Sequence, residues 1–172
     1  MKIDKLMMDK KTIYVIVCSK ECYELKRMRD LKKYNKDLYI VNNPMLYNFP
    51  SNNFTPKQTI KWCSYRKKSR YTFENIIKLL EMEEVAHIYN RKWKYIGNFK
   101  WICSVAVGIV QGKKYFVMPW LSKCELDYQE YRLEKIFNAI KMIGGTIVCP
   151  IESIEGKRIF EENQDIIIKH CP

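Results

Sequence analysis

Short apolar runs alternate with amphipathic segments along the chain. Residues 12–18 (TIYVIVC) are a nearly continuous β-branched and aromatic run, which is typical of a strand covered on both faces. Between residues 127 and 143 the apolar positions instead recur at helical spacing, as Leu133, Ile136, Phe137, Ile140 and Ile143. Strands that alternate with helices indicate an α/β fold with a largely parallel sheet and crossover helices.

Turn and capping residues divide the chain into its predicted elements. Thr55-Pro56 has the form of an N-cap followed by proline at the first helical position, and Asn98 is a second predicted N-cap. We predict strands over residues 12–18, 37–41, 114–118, 146–149 and 165–169. We predict helices over residues 22–34, 56–62, 72–85, 99–111, 127–143 and 154–162. Residues 1–172 are therefore expected to form a single α/β domain, with a helical subdomain inserted at about residues 55–111.

The net charge of +12 is distributed unevenly. Residues 1–70 contain 17 Lys and Arg against 6 Asp and Glu, whereas residues 71–172 contain 14 against 13. Such asymmetry favours a basic face that meets nucleic acid, lipid headgroups or an acidic partner. A solvated lysine-rich surface is the alternative explanation.

The cysteines and the hydropathy pattern indicate a cytoplasmic protein. The seven cysteines include no CxxC pair, and most lie inside apolar segments, as expected for free thiols in a reducing compartment. The N-terminal residues contain no uninterrupted apolar core, so we expect no signal peptide. The most apolar run, residues 101–110, is about half the length that spans a bilayer. We therefore expect a cytoplasmic protein, either soluble or held at a membrane by a partner.

Two segments combine basic and aromatic residues. They are residues 61–68 and 91–95, and the first overlaps a basic cluster at residues 66–70. The candidate surface residues are Trp62, Arg66, Lys67, Lys68, Arg70, Arg91 and Trp93. Cations follow phosphates and aromatic faces stack on bases, so the mixture suits nucleic acid. It also suits a protein partner, because Trp and Arg are enriched in interface hot spots. Alternatively, the tryptophans anchor these segments in the core.

The sequence contains neither the ligand spacing of a metal site nor a recognisable set of catalytic residues. The chain has two histidines, His87 and His170, which lie far apart. A zinc site needs three or four converging ligands. We therefore predict no metal ligands and no catalytic residues.

The order of motifs in residues 95–120 is informative. Tyr95-Ile96-Gly97-Asn98 precedes an apolar predicted helix, and the next predicted strand leads into Pro119-Trp120. This order resembles the ATP-binding cassette (ABC) ATPase domain of transporters, in which a Leu-Ser-Gly-Gly signature precedes a helix and a strand that ends in two acids. Gly97 is the retained signature residue, and its separation from Pro119 matches the family's interval to the first acid. The resemblance implies that Pro119 and Trp120 occupy the positions of the two acids.

Three further positions extend the resemblance. Asn42 stands where the family's glutamine loop has its glutamine. Asp127 lies one residue away from the position of the family's loop aspartate. Glu152 takes the place of the switch histidine. The resemblance therefore implies a degenerate nucleotide site in which the family's functional positions are replaced.

The segment in the place of the phosphate loop differs most from the family. Residues 18–23 read Cys-Ser-Lys-Glu-Cys-Tyr, so Lys20 is present but the glycines that admit phosphate are not, and Glu21 would repel phosphate. This argues against ATP binding, and we expect no cofactor. Without the acids, hydrolysis loses the groups that hold Mg²⁺ and orient water.

Together these features imply a non-hydrolysing ABC-ATPase-like subunit rather than an enzyme. Such a subunit would act through a protein partner, either an active ATPase or a membrane transporter subunit, for instance as the inactive half of a transporter ATPase pair. The uneven charge supports an alternative, a basic nucleic-acid-binding or regulatory protein.

Overall fold

The computed structural model describes residues 12–19, 37–41, 54–155, 158–161 and 166–170. Within these ranges five strands form one parallel sheet, in the order β2-β3-β4-β1-β5. The strands are β1 (Ile13–Val17), β2 (Leu38–Ile40), β3 (Tyr115–Val117), β4 (Thr146–Ile151) and β5 (Ile166–His170). The predicted α/β fold with a largely parallel sheet is confirmed. The predicted helix over residues 22–34 lies outside the described residues.

The chain divides into two compact units. The sheet unit comprises Met1–Ile40 and Lys114–Pro172, and the helical unit comprises Val41–Lys113. Residues 55–111, the predicted helical subdomain, belong to the helical unit. The organisation as one domain with a subdomain stays a prediction.

Apolar side chains on the strands form the core of the sheet unit. One cluster joins four strands through Tyr14, Ile16, Cys18, Leu38, Val117 and Val148. The rings of Tyr39 and Phe116 meet on neighbouring strands, with centroids 5.9 Å apart. Because β1 and β4 lie inside the sheet, their side chains are almost entirely buried, which explains their continuous apolar sequences.

The long helix α4 (Lys123–Met142) packs against β4, and α5 (Arg158–Glu161) is a single turn. α4 begins four residues earlier than predicted, because Ser122 and Glu125 form a capping box at its start. Gly144 has a φ of +72° just after the helix, and a Cβ on Gly145 would lie 2.9 Å from the Ile140 side chain. This turn therefore requires glycine for both its conformation and its close packing.

The helical unit contains α1 (Pro56–Lys67), α2 (Phe73–Leu79) and α3 (Lys100–Val110). α1 extends beyond the predicted end at Trp62, since the left-handed residue Lys68 closes it only at that point. α2 is shorter than predicted and is followed by a turn with a φ of +50° at Glu81. α3 is buried from Ile102 to Val110, which agrees with its apolar sequence.

Some predicted boundaries were wrong. Asn98 does not cap α3 but lies in a short 3-10 turn over Gly97–Phe99, and no side chain caps that helix. β4 continues through Pro150 to Ile151, beyond the predicted end at Cys149. Of the predicted helix over residues 154–162, the described residues 158–161 form the single turn α5, and residues 154 and 155 are not helical.

Candidate functional site

The candidate site is the carboxyl edge of the sheet, where ligands usually bind in open α/β sheets. Cys18 and Ser19 follow β1, Pro119 and Trp120 follow β3, and Glu152 follows β4. Because the strands are parallel, these segments leave the sheet at the same edge.

Trp120 connects the ends of two strands that are not neighbours in the sheet. Its indole Nε1 donates a hydrogen bond of 2.9 Å to the carbonyl oxygen of Cys18. Since β4 lies between β3 and β1, the indole spans the width of β4 to reach this carbonyl. The ring is half-buried and packs against the apolar cluster that contains Ile16 and Val117. At the position where the family resemblance expects an acid, the side chain is therefore aromatic and already engaged with the protein.

Glu152 lies at the amino end of α4. Its carboxylate oxygen Oε2 accepts a hydrogen bond of 2.8 Å from the backbone N–H of Lys123, and its own N–H donates to the carbonyl of Leu121. A carboxylate at a helix N-terminus satisfies an otherwise unpaired N–H and interacts favourably with the helix dipole. Glu152 thus has a structural role beside the capping box of Ser122 and Glu125.

The structure describes two of the other four degenerate nucleotide-site positions. Lys20 and Asn42 lie outside the described residues. Gly97 is exposed with a φ of +48°, and it belongs to the helical unit. Asp127 is an exposed residue of α4 in the sheet unit. Their assignment to one nucleotide site stays a prediction.

The outward side of α1 carries the first basic and aromatic segment. Pro56, Thr59, Ile60 and Cys63 form the buried side of this helix. Trp62 and Tyr65 point outward and are 45% and 86% exposed. The Arg66 guanidinium lies 4.9 Å from the centre of the Trp62 ring, a cation–π contact that orders both side chains.

Further cations follow at the end of α1. Lys67, Lys68 and Arg70 are exposed, and Arg70 donates a hydrogen bond of 2.7 Å to the hydroxyl of Tyr71. Residues 54–73 contain no acidic side chain. We call this surface, formed by Lys61, Trp62, Tyr65, Arg66, Lys67, Lys68 and Arg70, the basic face of α1.

Trp93 is a correction to the predicted surface. Its side chain is only 2% exposed, and its indole Nε1 donates a buried hydrogen bond of 3.0 Å to Thr59 Oγ1. Its backbone N–H donates to the carbonyl of Phe54. Trp93 therefore anchors its segment to α1 and cannot touch a partner, because the core of the helical unit covers it. Arg91 in the same segment is exposed.

Three buried cysteines have raised pKa values. Burial raises the pKa of Cys103 and of Cys149, since desolvation penalises the thiolate. Burial also raises the pKa of Cys63, against the smaller opposing effect of a hydrogen bond from Gln111. Inert thiols of this kind are structural rather than nucleophilic. Across the described ranges, no three His, Cys, Asp or Glu side chains are grouped as metal ligands would be.

Comparisons with known proteins place this fold among ABC transporter ATPase domains. No family model and no curated protein matches the chain. Solved structures do match, and the common class is the ATP-binding domain of ABC transporters. The similarity predicted from the order of the elements is confirmed for the fold. No helix in the described ranges combines the length and apolar character needed to cross a bilayer.

Three of these structures illustrate the match. A protein from Pyrococcus furiosus assigned as an ABC transporter ATP-binding protein has a TM-score of 0.60 and 9% identity, with 94% of this chain and 84% of that chain covered. A nucleotide-free ATP-binding cassette from an ABC transporter has a TM-score of 0.58 and 12% identity, with 94% of this chain and 78% of that chain covered. A chain of a transporter assigned to the metal-chelate type has a TM-score of 0.57 and 12% identity, with 84% of this chain and 64% of that chain covered. This chain thus spans less than two thirds of the length of the last of these.

Proposed function

We propose that this protein is a non-hydrolysing, ABC-ATPase-like subunit that acts through a protein partner. The partner is an active ATPase or a membrane transporter subunit, and one arrangement is the inactive half of a transporter ATPase pair. In this proposal the protein is cytoplasmic and meets the membrane only through that partner.

The contact between Trp120 and Cys18 carries the proposal. Hydrolysis of a nucleotide requires Mg²⁺ held by oxygen ligands and a group that orients water. At the end of β3, the Trp120 indole instead donates to the end of β1 and packs on the apolar cluster. Its N–H can donate a hydrogen bond but cannot ligate a cation.

Glu152 supports the same conclusion. This carboxylate follows the neighbouring strand, and it accepts a hydrogen bond from the first turn of α4. That hydrogen bond gives the carboxylate a structural role at the helix terminus. The positions Lys20, Asn42, Gly97 and Asp127 belong to the proposed degenerate nucleotide site.

The basic face of α1 and Arg91 are the proposed partner surface. A helix that presents Trp62, Tyr65 and Arg66 outward has the side chains that interface hot spots favour. The basic balance of residues 54–73 favours an acidic surface on the partner.

A nucleotide assay tests the inactive character. The purified protein is titrated with a fluorescent ATP analogue and Mg²⁺ while phosphate release is followed, beside an active ABC ATPase as positive control. We expect no phosphate release above background. Tight binding accompanied by turnover would refute the proposal.

A copurification experiment tests the partner surface. We expect the wild-type chain to retain an ABC ATPase or transporter subunit from its native cell, identified by mass spectrometry. The variant Arg66→Glu/Lys67→Glu should lose that subunit, whereas Lys78→Glu, at an exposed position of α2, should keep it. Equal retention by both variants contradicts the assignment of the basic face.

The same face supports a second candidate function, binding of nucleic acid. Tyr65 is almost fully exposed among cations, as required for stacking on a base beside phosphates. Binding to random single-stranded DNA should then weaken as salt rises, with a log–log slope of about −0.7 for each phosphate contacted. Binding that does not change with salt argues against this function.

A further inference from the structure

The turn over residues 91–95, which we call the anchored turn, is fixed to the start of α1. The backbone N–H of Trp93 donates a hydrogen bond of 3.1 Å to the carbonyl of Phe54, and its indole Nε1 donates one of 3.0 Å to Thr59 Oγ1. The other side chains of the anchored turn are exposed, namely Arg91, Lys92, Lys94 and Tyr95. The buried tryptophan therefore holds three exposed cations and a tyrosine beside the helix.

The anchored turn lies on the side of α1 that carries Trp62 and Arg66. With 3.6 residues per turn, Thr59 is separated around the helix axis by about 20° from Arg66 and about 60° from Trp62. Lys57 is about 160° away from Thr59 and faces α2, where its Nζ lies 5.3 Å from the centre of the Phe73 ring. The anchored turn, at the amino end of α1, and Arg66, at its carboxyl end, thus lie on one side of the helix.

The basic face of α1 and the anchored turn share a strongly positive composition. Their exposed cations are Lys61, Arg66, Lys67, Lys68, Arg70, Arg91, Lys92 and Lys94. Neither residues 54–73 nor residues 85–100 contain an acidic side chain. Five of the eight cations are lysines, which protein–protein interfaces deplete, whereas a phosphate backbone attracts lysine and arginine alike. This composition favours a ligand that carries phosphates.

The backbone at Lys68 indicates a use for its side chain. Lys68 closes α1 in the left-handed region, with a φ of 47° and a ψ of 46°. Glycine is the usual residue at this position, because a side chain strains the left-handed backbone. Strained residues of this kind are concentrated at ligand-binding and catalytic sites. The lysine lies between Lys67 and Arg70, so its charge adds to the cations at the end of α1.

Exposed tyrosines accompany these cations. Tyr65 is 86% exposed and directly precedes Arg66, and Tyr95 is 62% exposed. The Lys94 Nζ lies 4.8 Å from the centre of the Tyr95 ring. Aromatic rings stack on bases beside cations that contact phosphates, but they do so where the bases are not already stacked in a duplex. The combination therefore favours a single strand.

We propose that the basic face of α1 and the anchored turn form one surface that binds single-stranded nucleic acid. Bases stack on Tyr65 and Tyr95, and the cations contact the phosphates. α1 has 12 residues and a length of about 18 Å, which corresponds to about five nucleotides at about 3.4 Å each. Such binding rests on the second candidate function, and it specifies both the form of the ligand and a second element that holds it.

Fluorescence anisotropy with a labelled oligothymidylate of about 20 nucleotides tests the role of the tyrosines. We expect Tyr65→Ala and Tyr95→Ala each to weaken binding by at least about fivefold, the lower end of the cost of losing one stacked base. The matched control Tyr128→Ala/Tyr131→Ala removes two tyrosines of α4 that are 72% and 68% exposed, and it should bind like the wild type. Circular dichroism verifies that each variant is folded. If only Tyr65→Ala weakens binding, the joint surface is wrong although the second candidate function stands, whereas a wild-type chain that does not bind refutes both.

Salt dependence and competition test the nature of the ligand. We expect Lys92→Ala/Lys94→Ala to reduce the magnitude of the log–log salt slope by about 1.4, because two phosphate contacts are lost, and Lys78→Ala on α2 to leave it unchanged. Unlabelled oligothymidylate should displace the labelled strand more effectively than a duplex of the same length or polyglutamate at equal charge concentration. Equal displacement by the duplex would show that the bases need not be unstacked, and equal displacement by polyglutamate would indicate a surface for an acidic protein. Either result overturns the proposal.

Discussion

Thr59→Val tests the contact that places Trp93 in the core. Valine has nearly the shape of threonine, so the substitution removes a hydroxyl without opening a cavity. The lost hydroxyl is the acceptor for the Trp93 indole N–H at 3.0 Å, and both residues are 2% exposed. Trp93 would therefore keep a donor that neither water nor protein satisfies.

The structure sets the size of the effect. A buried donor that loses its acceptor costs about 1–3 kcal/mol. The Thr59 hydroxyl also donates to the carbonyl of Thr55, but that carbonyl still accepts the backbone N–H of residue 59, so the second loss is small. Threonine and valine have similar helix propensities. We expect Thr59→Val to lower the free energy of unfolding by about 2 kcal/mol.

A double-mutant cycle measured by urea denaturation and far-UV circular dichroism tests the reasoning. In a Trp93→Phe background there is no indole N–H to leave unpaired, so Thr59→Val should cost less than about 0.5 kcal/mol there. Thr59→Ser keeps the acceptor and should cost only about 0.8 kcal/mol for its lost methyl group. If Thr59→Val costs the same in both backgrounds, the hydrogen bond does not hold Trp93 in place.

Three other predictions concern buried and capping groups. Glu152→Ala should lower the free energy of unfolding by about 1 kcal/mol, measured by urea denaturation, because α4 loses a carboxylate at its N-terminus. The Tyr89 hydroxyl is buried and has no hydrogen-bond partner among the described residues, so Tyr89→Phe should leave the melting temperature unchanged or raise it. Burial raises the pKa of Cys103 and Cys149, so these thiols ionise more readily in the unfolded chain than in the folded one. Their contribution to stability is complete below the ordinary thiol pKa of about 8.5 and declines as pH rises above it. Melting temperatures measured from pH 7 to 10 should therefore fall above that value, and less steeply in Cys149→Ala.

Much of the fold was predictable because β1 and β4 are buried on both faces and α4 is buried mainly on one. The continuous apolar run of β1 and the helical stripe of α4 each allow one type of element. The start of α4 was also predictable, because Ser122 and Glu125 have the spacing of a capping box. The apolar stripe alone begins further along the chain, which explains the later predicted start. The end of α2 was not evident, since the turn at Glu81 places an ordinary residue at positive φ.

The candidate site was less predictable. The absence of an acid at Pro119-Trp120 can be read from the sequence, but the bond from Trp120 to Cys18 joins residues 102 positions apart. The sequence around Trp93 resembles that around Trp62, with cations on both sides. The contact of Trp93 with the Thr59 hydroxyl, 34 residues away, helps to distinguish the buried tryptophan from the exposed one.

The position of Trp120 also constrains how this chain can change over evolutionary time. A carboxylate at position 120 would give up the donor to the Cys18 carbonyl and the ring that covers the apolar cluster. That variant would lose stability at once. Selection for stability alone would therefore disfavour an acid at position 120, whatever the protein binds.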